Sequence, residues 1–194
     1  TNGVVQTAFD GSPQSIGTCI AVQPDGKLVM GGYAQTGSAS PFEFAVARYM
    51  PNGTLDTTFG TGGMLTTDIV PNASDQITDI VLQPDGKIIA IGLGDTANTT
   101  IMKGVRYLSN GNLDTAFANN GIISFSNSYS YLPSVALQTD GKIIVTGGQD
   151  TCSIYRVNNN GSLDNTPILN IIAKLEGKNT LGTYVGSLSD FVTS

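Results

Sequence analysis

The sequence predicts an all-β fold built from tandem four-stranded antiparallel sheets, and three observations lead to this prediction. A short motif with a turn signal recurs three times within 194 residues. The apolar stretches between the turn signals are short and spaced like the strands of a sheet. Charged residues make up only 12% of the chain, and the remainder is rich in Gly, Thr, Ser and Asn. This balance is typical of an all-β protein with many tight turns and a neutral polar surface.

The internal repeat is defined by two motifs that recur in fixed order. QPDGK at 23–27 returns at 83–87 and, as QTDGK, at 138–142. ARYMPNGTLDTTF at 47–59 returns as VRYLSNGNLDTAF at 105–117 and, shortened, as YRVNNNGSLD at 155–164. The beginning of the chain fits the same repeat, because GVV at 3–5 matches GML at 63–65 and GII at 121–123. We therefore divide residues 1–165 into repeats at about 3–62, 63–120 and 121–165, followed by a non-repeat tail at 166–194.

The second repeat shows the predicted strands most clearly. We expect strands at 64–69, 77–82, 87–91 and 102–108, the third of them buried on both faces. The Asp85-Gly86 pair between the second and third strands predicts a type I′ hairpin turn, and Asn110-Gly111 predicts another turn. Four short antiparallel strands in about 60 residues are typical of a β-propeller blade. The second strand of each repeat has two apolar residues two positions apart, which places them on the same face of the strand. We predict that this face points inward in all three repeats, at Ile20/Val22, Ile80/Leu82 and Val135/Leu137.

Together, QPDGK, ARY-x-x-NG-x-LD-x-x-FG and GG-x-L-x-T resemble the bacterial delta-60 repeat family, over about residues 3–165. The resemblance implies a β-propeller-like fold and a secreted or surface protein, and it brings no known activity. The third copy departs from the pattern, because Thr139 stands where Pro84 does and Pro167 stands where a Phe is expected.

Two sets of charged residues recur once per repeat. The aspartates of the Asp-Gly turns supply one carboxylate each, which suits turn chemistry better than a calcium loop with several oxygen ligands. The Arg and Asp of the second motif stand eight residues apart in every copy, with an Asn-Gly turn between them. This spacing predicts a structural ion pair or Asx-turn network in each blade. The turn aspartates are Asp25, Asp85 and Asp140, and the pairs are Arg48/Asp56, Arg106/Asp114 and Arg156/Asp164.

Recurring aromatic residues have a structural and a binding interpretation. Tyr49, Tyr107, Phe59 and Phe117 occupy matching positions, which predicts a core between blades. Tyr33, Tyr129 and Tyr131 fall in predicted loops and suit a platform on which a sugar ring could stack.

Several function classes lack support in the sequence. The chain has no His, which excludes Ser-His-Asp and Cys-His catalysis and His-ligated zinc. A net charge of −6 argues against nucleic acid and anionic membranes as partners, and no apolar run is long enough to insert in a membrane. Cys19 and Cys152 leave one long-range disulfide or two free thiols open. We expect no enzyme activity, no metal and no cofactor.

About three blades leave a propeller ring incomplete, because such rings contain about 4–8. Three solutions stay open: two chains close one ring, chains stack head to tail as a filament, or the chain is part of a larger propeller. The tail at 166–194 is then a cap or a set of strands exchanged between chains. The leading expectation is a non-catalytic extracellular or cell-surface structural and adhesive module whose partner is a second copy of itself. The alternative is a propeller-type lectin that binds glycans.

Overall fold

The computed structural model describes residues 3–9, 14–38, 40–95, 99–128, 132–148 and 153–166. Within these ranges the chain is all-β, as predicted, and no helix occurs. Tyr129, Tyr131, Cys152 and the tail beyond residue 166 lie outside the described residues.

The strands form three antiparallel sheets that follow one another along the chain. The first sheet has four strands in the order β1-β2-β3-β4, the second has four in the order β5-β6-β7-β8, and the described part of the third has three in the order β9-β10-β11. Their bounds are Ser15–Val22 (β1), Leu28–Gln35 (β2), Phe42–Tyr49 (β3), Met64–Thr67 (β4), Ser74–Leu82 (β5), Ile88–Asp95 (β6), Thr100–Tyr107 (β7), Ile122–Ser128 (β8), Ser134–Leu137 (β9), Ile143–Gly147 (β10) and Ser153–Val157 (β11). Each sheet is a meander, which is the arrangement of a propeller blade.

The sheets are offset from the sequence repeats. β4 opens the second sequence repeat, yet it pairs with β3 of the first sheet, with Ala47 opposite Met64 and Phe44 opposite Thr67. β8 pairs with β7 in the same way. The first strand of each repeat is therefore the fourth strand of the preceding sheet. The predicted strand at 64–69 ends at Thr67, because the backbone N–H groups of Ile69 and Val70 donate to the carboxylate of Asp75.

The predicted hairpins at the Asp-Gly pairs are confirmed, but the predicted type I′ geometry of their turns is wrong. Only the glycine of each turn has a positive φ, 82° at Gly26 and 83° at Gly86 and Gly141. In the first hairpin the N–H of Gly26 donates to the carbonyl of Gln23 at 2.9 Å, so Pro24 and Asp25 are the central residues of the turn. Proline fixes its own φ near −65°, which suits the first central position of a type I turn.

Side chains between successive sheets form two apolar cores. The first inter-sheet core joins the first and second sheets through the buried side chains of Val29, Phe44, Val46, Phe59, Ile69, Ile77, Ile80, Ile88, Ala90, Val105 and Tyr107. The second inter-sheet core joins the second and third sheets through Ile89, Ile91, Leu93, Met102, Phe117, Ile123, Phe125, Ile143, Val145 and Val157. β6 contributes to both, so its predicted burial on both faces is confirmed.

The predicted inward face is buried only where another sheet precedes it. Ile80 is 6% exposed and packs in the first inter-sheet core, and Val135 packs against the second. Ile20, at the same position in the first sheet, is 63% exposed, and its neighbour Val22 is exposed as well. The pattern therefore specifies a face that packs against a preceding sheet, and on the first sheet this face is open.

Candidate functional site

The Arg and Asp of each repeat meet across the turn that separates them. After β3 the chain reverses at 50–54, and the N–H of Asp56 donates to the carbonyl of Arg48 at 2.9 Å. This return places Oδ2 of Asp56 2.8 Å from Nε of Arg48. The corresponding Nε to Oδ2 distances are 2.8 Å for Arg106 and Asp114 and 2.7 Å for Arg156 and Asp164.

A lysine adds a second cation to each pair, and the sequence analysis did not identify it. Nζ of Lys27 lies 3.2 Å from Oδ2 of Asp56, and Nζ of Lys142 lies 2.8 Å from Oδ2 of Asp164. In the second sheet, Lys87 lies 3.7 Å from Asp114. The sequence signal for this lysine is its recurrence after every Asp-Gly pair. Each aspartate thus lies between an Arg from the third strand and a Lys from the preceding hairpin.

The turn aspartates bind the backbone of their own hairpins. Oδ1 of Asp25 accepts a hydrogen bond from the N–H of Lys27 at 3.1 Å, and the equivalent distances are 3.2 Å at Asp85 and 3.1 Å at Asp140. These bonds are Asx turns, which stabilise a chain reversal without any ligand.

Each arginine also reaches into the next sheet. Nη1 of Arg48 donates to the carbonyl oxygen of Ser109, and Nη1 of Arg106 donates to the carbonyl oxygen of Asn159. Ser109 and Asn159 hold the same place in their repeats, two residues before the glycine of the Asn-Gly turn. We call this contact, together with the backbone bond described next, the inter-sheet latch.

A backbone hydrogen bond accompanies each arginine contact. The N–H of Gly60 donates to the carbonyl of Asn110 at 2.9 Å, and the N–H of Ala118 donates to the carbonyl of Asn160 at 2.9 Å. The latch therefore occurs at both sheet-to-sheet interfaces among the described residues.

Aromatic side chains cover the buried side of the arginines. The guanidinium carbon of Arg48 lies 4.6 Å from the ring centre of Phe59, and that of Arg106 lies 4.3 Å from the ring centre of Phe117. Such cation–π contacts are strengthened when the groups are removed from water. The hydroxyl of Tyr107 donates to Oγ1 of Thr67 in the preceding sheet at 2.8 Å. The inter-sheet cores thus contain three of the four recurring aromatic residues, Phe59, Tyr107 and Phe117. The fourth, Tyr49, lies on the open face of the first sheet.

Two of the repeated carboxylates, those of Asp56 and Asp164, are held in their charged form. A hydrogen bond from the Thr58 hydroxyl, with those from Lys27 and Arg48, holds the pKa of Asp56 well below its usual range despite burial. The Lys142 ammonium, together with Thr166 and Arg156, does the same for the pKa of Asp164. Carboxylates that are ionised and surrounded by donors are poor proton carriers, so this network is suited to holding sheets together.

One buried carboxyl behaves differently. Asp75 is fully buried, and burial raises its pKa to about 6, although the N–H groups of Ile69 and Val70 donate to it. It closes the turn between β4 and β5, which is a place where the chain passes from one sheet to the next.

Of the residues considered for sugar stacking, the structure describes Tyr33 alone. Tyr33 lies in β2 and not in a loop as predicted, and its ring packs edge-to-face against Phe42, with ring centres 5.0 Å apart. Tyr129 and Tyr131 are outside the described residues, so the sugar-stacking platform stays a prediction. Among the residues that the structure describes, no three His, Cys, Asp or Glu side chains are grouped to hold a metal ion. That part of the chain also contains no helix long and apolar enough to cross a membrane.

Comparison with known proteins gives one family match. A family model described as a domain of unknown function (DUF5122) beta-propeller matches residues 23–59, 83–117 and 138–166. These three segments cover just over half of the chain, and each contains one Asp-Gly turn and one Arg–Asp pair. No curated protein matches the chain.

Proposed function

Because this chain belongs to the DUF5122 beta-propeller family, we propose that it is a non-catalytic structural module that assembles with further copies of itself through the open faces of its terminal sheets. We also propose that its repeats are delta-60 repeats, which the motifs of the sequence resemble. The proposal also includes an extracellular or cell-surface setting, which the low charge and the Ser, Thr and Asn content support.

The observation that carries the proposal is the contrast between Ile20 and Ile80. They occupy the same position in successive repeats, yet Ile20 is 63% exposed and Ile80 is 6% exposed. What covers Ile80 is the first sheet, which precedes its own sheet in the chain. The face that contains Ile20 is shaped by the same sequence pattern, so its matching partner is another sheet of this kind. A second copy of the chain supplies one.

The polar residues support a structural role over a catalytic one. All three Arg–Asp pairs are used within the fold, and the two described latches use their arginines to join sheets. A group repeated in every blade and neutralised by its neighbours is typical of a scaffold. The chain also has no His to act as a general base near neutral pH.

Assembly is tested by the particle mass in solution, measured by light scattering after size-exclusion chromatography. We expect a discrete dimer or larger species for the native chain, and a shift toward the 20.1 kDa monomer for Ile20→Asp. The matched control is Leu132→Asp, because Leu132 is 82% exposed but precedes β9, away from the face that contains Ile20. A native chain that is monomeric at high concentration would overturn the proposal.

Glycan binding stays a hypothesis from the sequence alone. Tyr33 already contacts Phe42, and the other two tyrosines considered are outside the described residues. Binding to a glycan array by a monomeric chain would favour this function over assembly.

A further inference from the structure

In the third sheet, the edge of β11 at Ile154 and Tyr155 pairs with no described strand. In the first two sheets the third strand pairs with a fourth, β3 with β4 and β7 with β8. In the third sheet β11 pairs with β10, and the described residues provide no fourth strand. An unpaired edge presents a row of backbone N–H and C=O groups that can accept another strand.

Residues 3–5 have the opposite property, because they have the sequence that begins a fourth strand but pair with no described strand. Residues 3–5 match 63–65 and 121–123, which begin β4 and β8. Here they form no strand, and Val4 and Val5 are exposed. Since fourth strands belong to the sheet before their own repeat, this segment belongs to a sheet that precedes the first one.

The segment already lies where such a strand would lie. A Cβ placed on Gly53 would be 2.9 Å from Cγ2 of Val5, and a Cβ placed on the equivalent Gly111 would be 3.0 Å from Cδ2 of Leu65 in β4. Val5 and Leu65 are themselves equivalent. Further along, Phe9 is buried against Ala45 and Ala47 on the open face of the first sheet. The segment therefore contacts the first sheet as β4 contacts the second.

We propose that residues 3–5 of one copy add to β11 of a second copy, opposite residues 154–156, as the fourth strand of its third sheet. The inference rests on the proposed assembly and names the edge and the register through which it occurs. In the existing sheets Ala47 lies opposite Met64 and Val46 opposite Leu65, and Gly104 lies opposite Ile123. Transfer of this register places Tyr155 opposite Val4 and Ile154 opposite Val5. Ile154 is 47% exposed and Val5 is 55% exposed, so both side chains are open to a partner.

The same arrangement extends the inter-sheet latch. Arg48 and Arg106 each donate to a carbonyl in the next sheet, at Ser109 and Asn159. Arg156 is the third arginine of the series, and Pro51 holds the place of Ser109 and Asn159 in the first repeat. Strand addition brings the third sheet of one copy against the first sheet of the next, so Arg156 would donate to the carbonyl of Pro51. The contact is heterologous, and repetition of it gives a closed ring or an open filament.

Disulfide trapping between two single-cysteine variants tests the register. Both variants carry Cys19→Ser and Cys152→Ser; one then carries Val5→Cys and the other Ile154→Cys. Directly opposite residues in an antiparallel pair have Cα atoms about 4.5–5.5 Å apart, which a disulfide spans. The control pairs Val4→Cys with Ile154→Cys, because Val4 is one residue out of register and its side chain points to the other face.

We expect a disulfide-linked heterodimer from the Val5→Cys and Ile154→Cys mixture under mild oxidation, at least about tenfold more than from the control mixture. Equal yields from both mixtures would overturn the register. A native-sized assembly with no heterodimer would also overturn it, and would leave the proposed assembly standing with another edge or with the chain's own tail on β11. A monomer at every concentration would overturn both.

A second variant tests the edge without cysteines. Val5→Asp places a charge in the proposed strand, and it should reduce the particle mass at a given concentration while leaving the melting curve of the separated monomer unchanged. Leu132→Asp is the control, because it changes an exposed apolar residue beside β9, the opposite edge of the third sheet. An undiminished assembly of Val5→Asp would contradict the proposal.

Discussion

Asp114 lies 2.8 Å from Nε of Arg106, although the two residues are separated by eight positions and an Asn-Gly turn. Both side chains are buried, and the same arginine donates to the carbonyl of Asn159 in the third sheet. The carboxylate therefore fixes the arginine that joins two sheets. A buried pair of this kind destabilises the fold strongly when one partner is removed, because the other charge is left uncompensated.

We expect Asp114→Asn to lower the free energy of unfolding by about 2–4 kcal/mol, because the neutral amide no longer compensates Arg106. The corresponding loss in melting temperature is about 4–16 °C for a chain of this size. Thermal unfolding followed by circular dichroism measures it. An unchanged melting temperature would refute the structural role of the pair.

The control for this change is Asp85→Asn. The Asp85 side chain is 53% exposed, and its Oδ1 accepts from the N–H of Lys87, a bond that the Asn oxygen preserves. We expect a change within about 0.5 kcal/mol. A loss as large as that of Asp114→Asn would show that the turn, and not the buried pair, limits stability.

Asp75 should make stability depend on pH in the direction opposite to that of Asp56 and Asp164. Its pKa is raised from 3.8 to about 6, so the folded state favours the protonated form. Stability from this group is present below pH 4 and is lost as pH rises through 6. Relative to the native chain, Asp75→Asn should become more stable by about 1–3 kcal/mol between pH 4 and pH 8. Urea unfolding at both pH values measures this change.

The control for Asp75→Asn is again Asp85→Asn, because hydrogen bonds from Lys87 lower the pKa of Asp85 against the effect of burial. This shift is opposite in direction to that of Asp75. Asp85→Asn should therefore gain no stability relative to the native chain between pH 4 and pH 8. The absence of a gain for Asp75→Asn over the same range would contradict the raised pKa.

The all-β architecture followed from local signals that recur. The Asp-Gly and Asn-Gly pairs mark chain reversals, and the apolar pair Ile80/Leu82 indicated the inward face of a strand. The fixed spacing of Arg48 and Asp56 indicated a contact because an Asn-Gly turn lies between them. These signals act over a few residues, which is why they can be read without the fold.

Features that depend on contacts between residues distant in the chain were not predicted from the sequence. The residues of β4 look alike whether they pair with β3 or β5, so the offset between repeats and sheets was not predicted. The exposure of Ile20 depends on whether another sheet precedes it, which its own sequence does not encode. The contact of Lys27 with Asp56 was not predicted, because the two residues belong to different hairpins.

Cys19 should be a slow nucleophile in the folded chain. Burial raises the pKa of its thiol to about 11, so that about 0.1% is thiolate at pH 8. In a Cys152→Ser background, alkylation by iodoacetamide should be about 100-fold slower in the native protein than in urea. The native rate should also keep rising from pH 8 to pH 10. Mass spectrometry measures both rates, and a plateau near pH 9 would contradict the raised pKa.

Gly161 lies at the interface between the second and third sheets, and it should tolerate a side chain far less than its counterpart in the preceding hairpin. Its φ is +89°, and an added Cβ would lie 2.4 Å from the backbone nitrogen of Ala118. That nitrogen donates to the carbonyl of Asn160, which is the backbone part of the latch. Gly141 has a φ of +83°, but an added Cβ would meet nothing within 4 Å.

Both substitutions to alanine carry a cost of about 1 kcal/mol for the positive φ. Gly161→Ala should cost about 1–3 kcal/mol more, because the backbone of Ala118 cannot move aside without breaking its hydrogen bond. Urea unfolding of the two variants gives the difference directly. Both glycines lie in turns of the same sheet and differ mainly in the residues that face them. Equal losses in the free energy of unfolding would show that the contact between Gly161 and Ala118 does not hold the two sheets together.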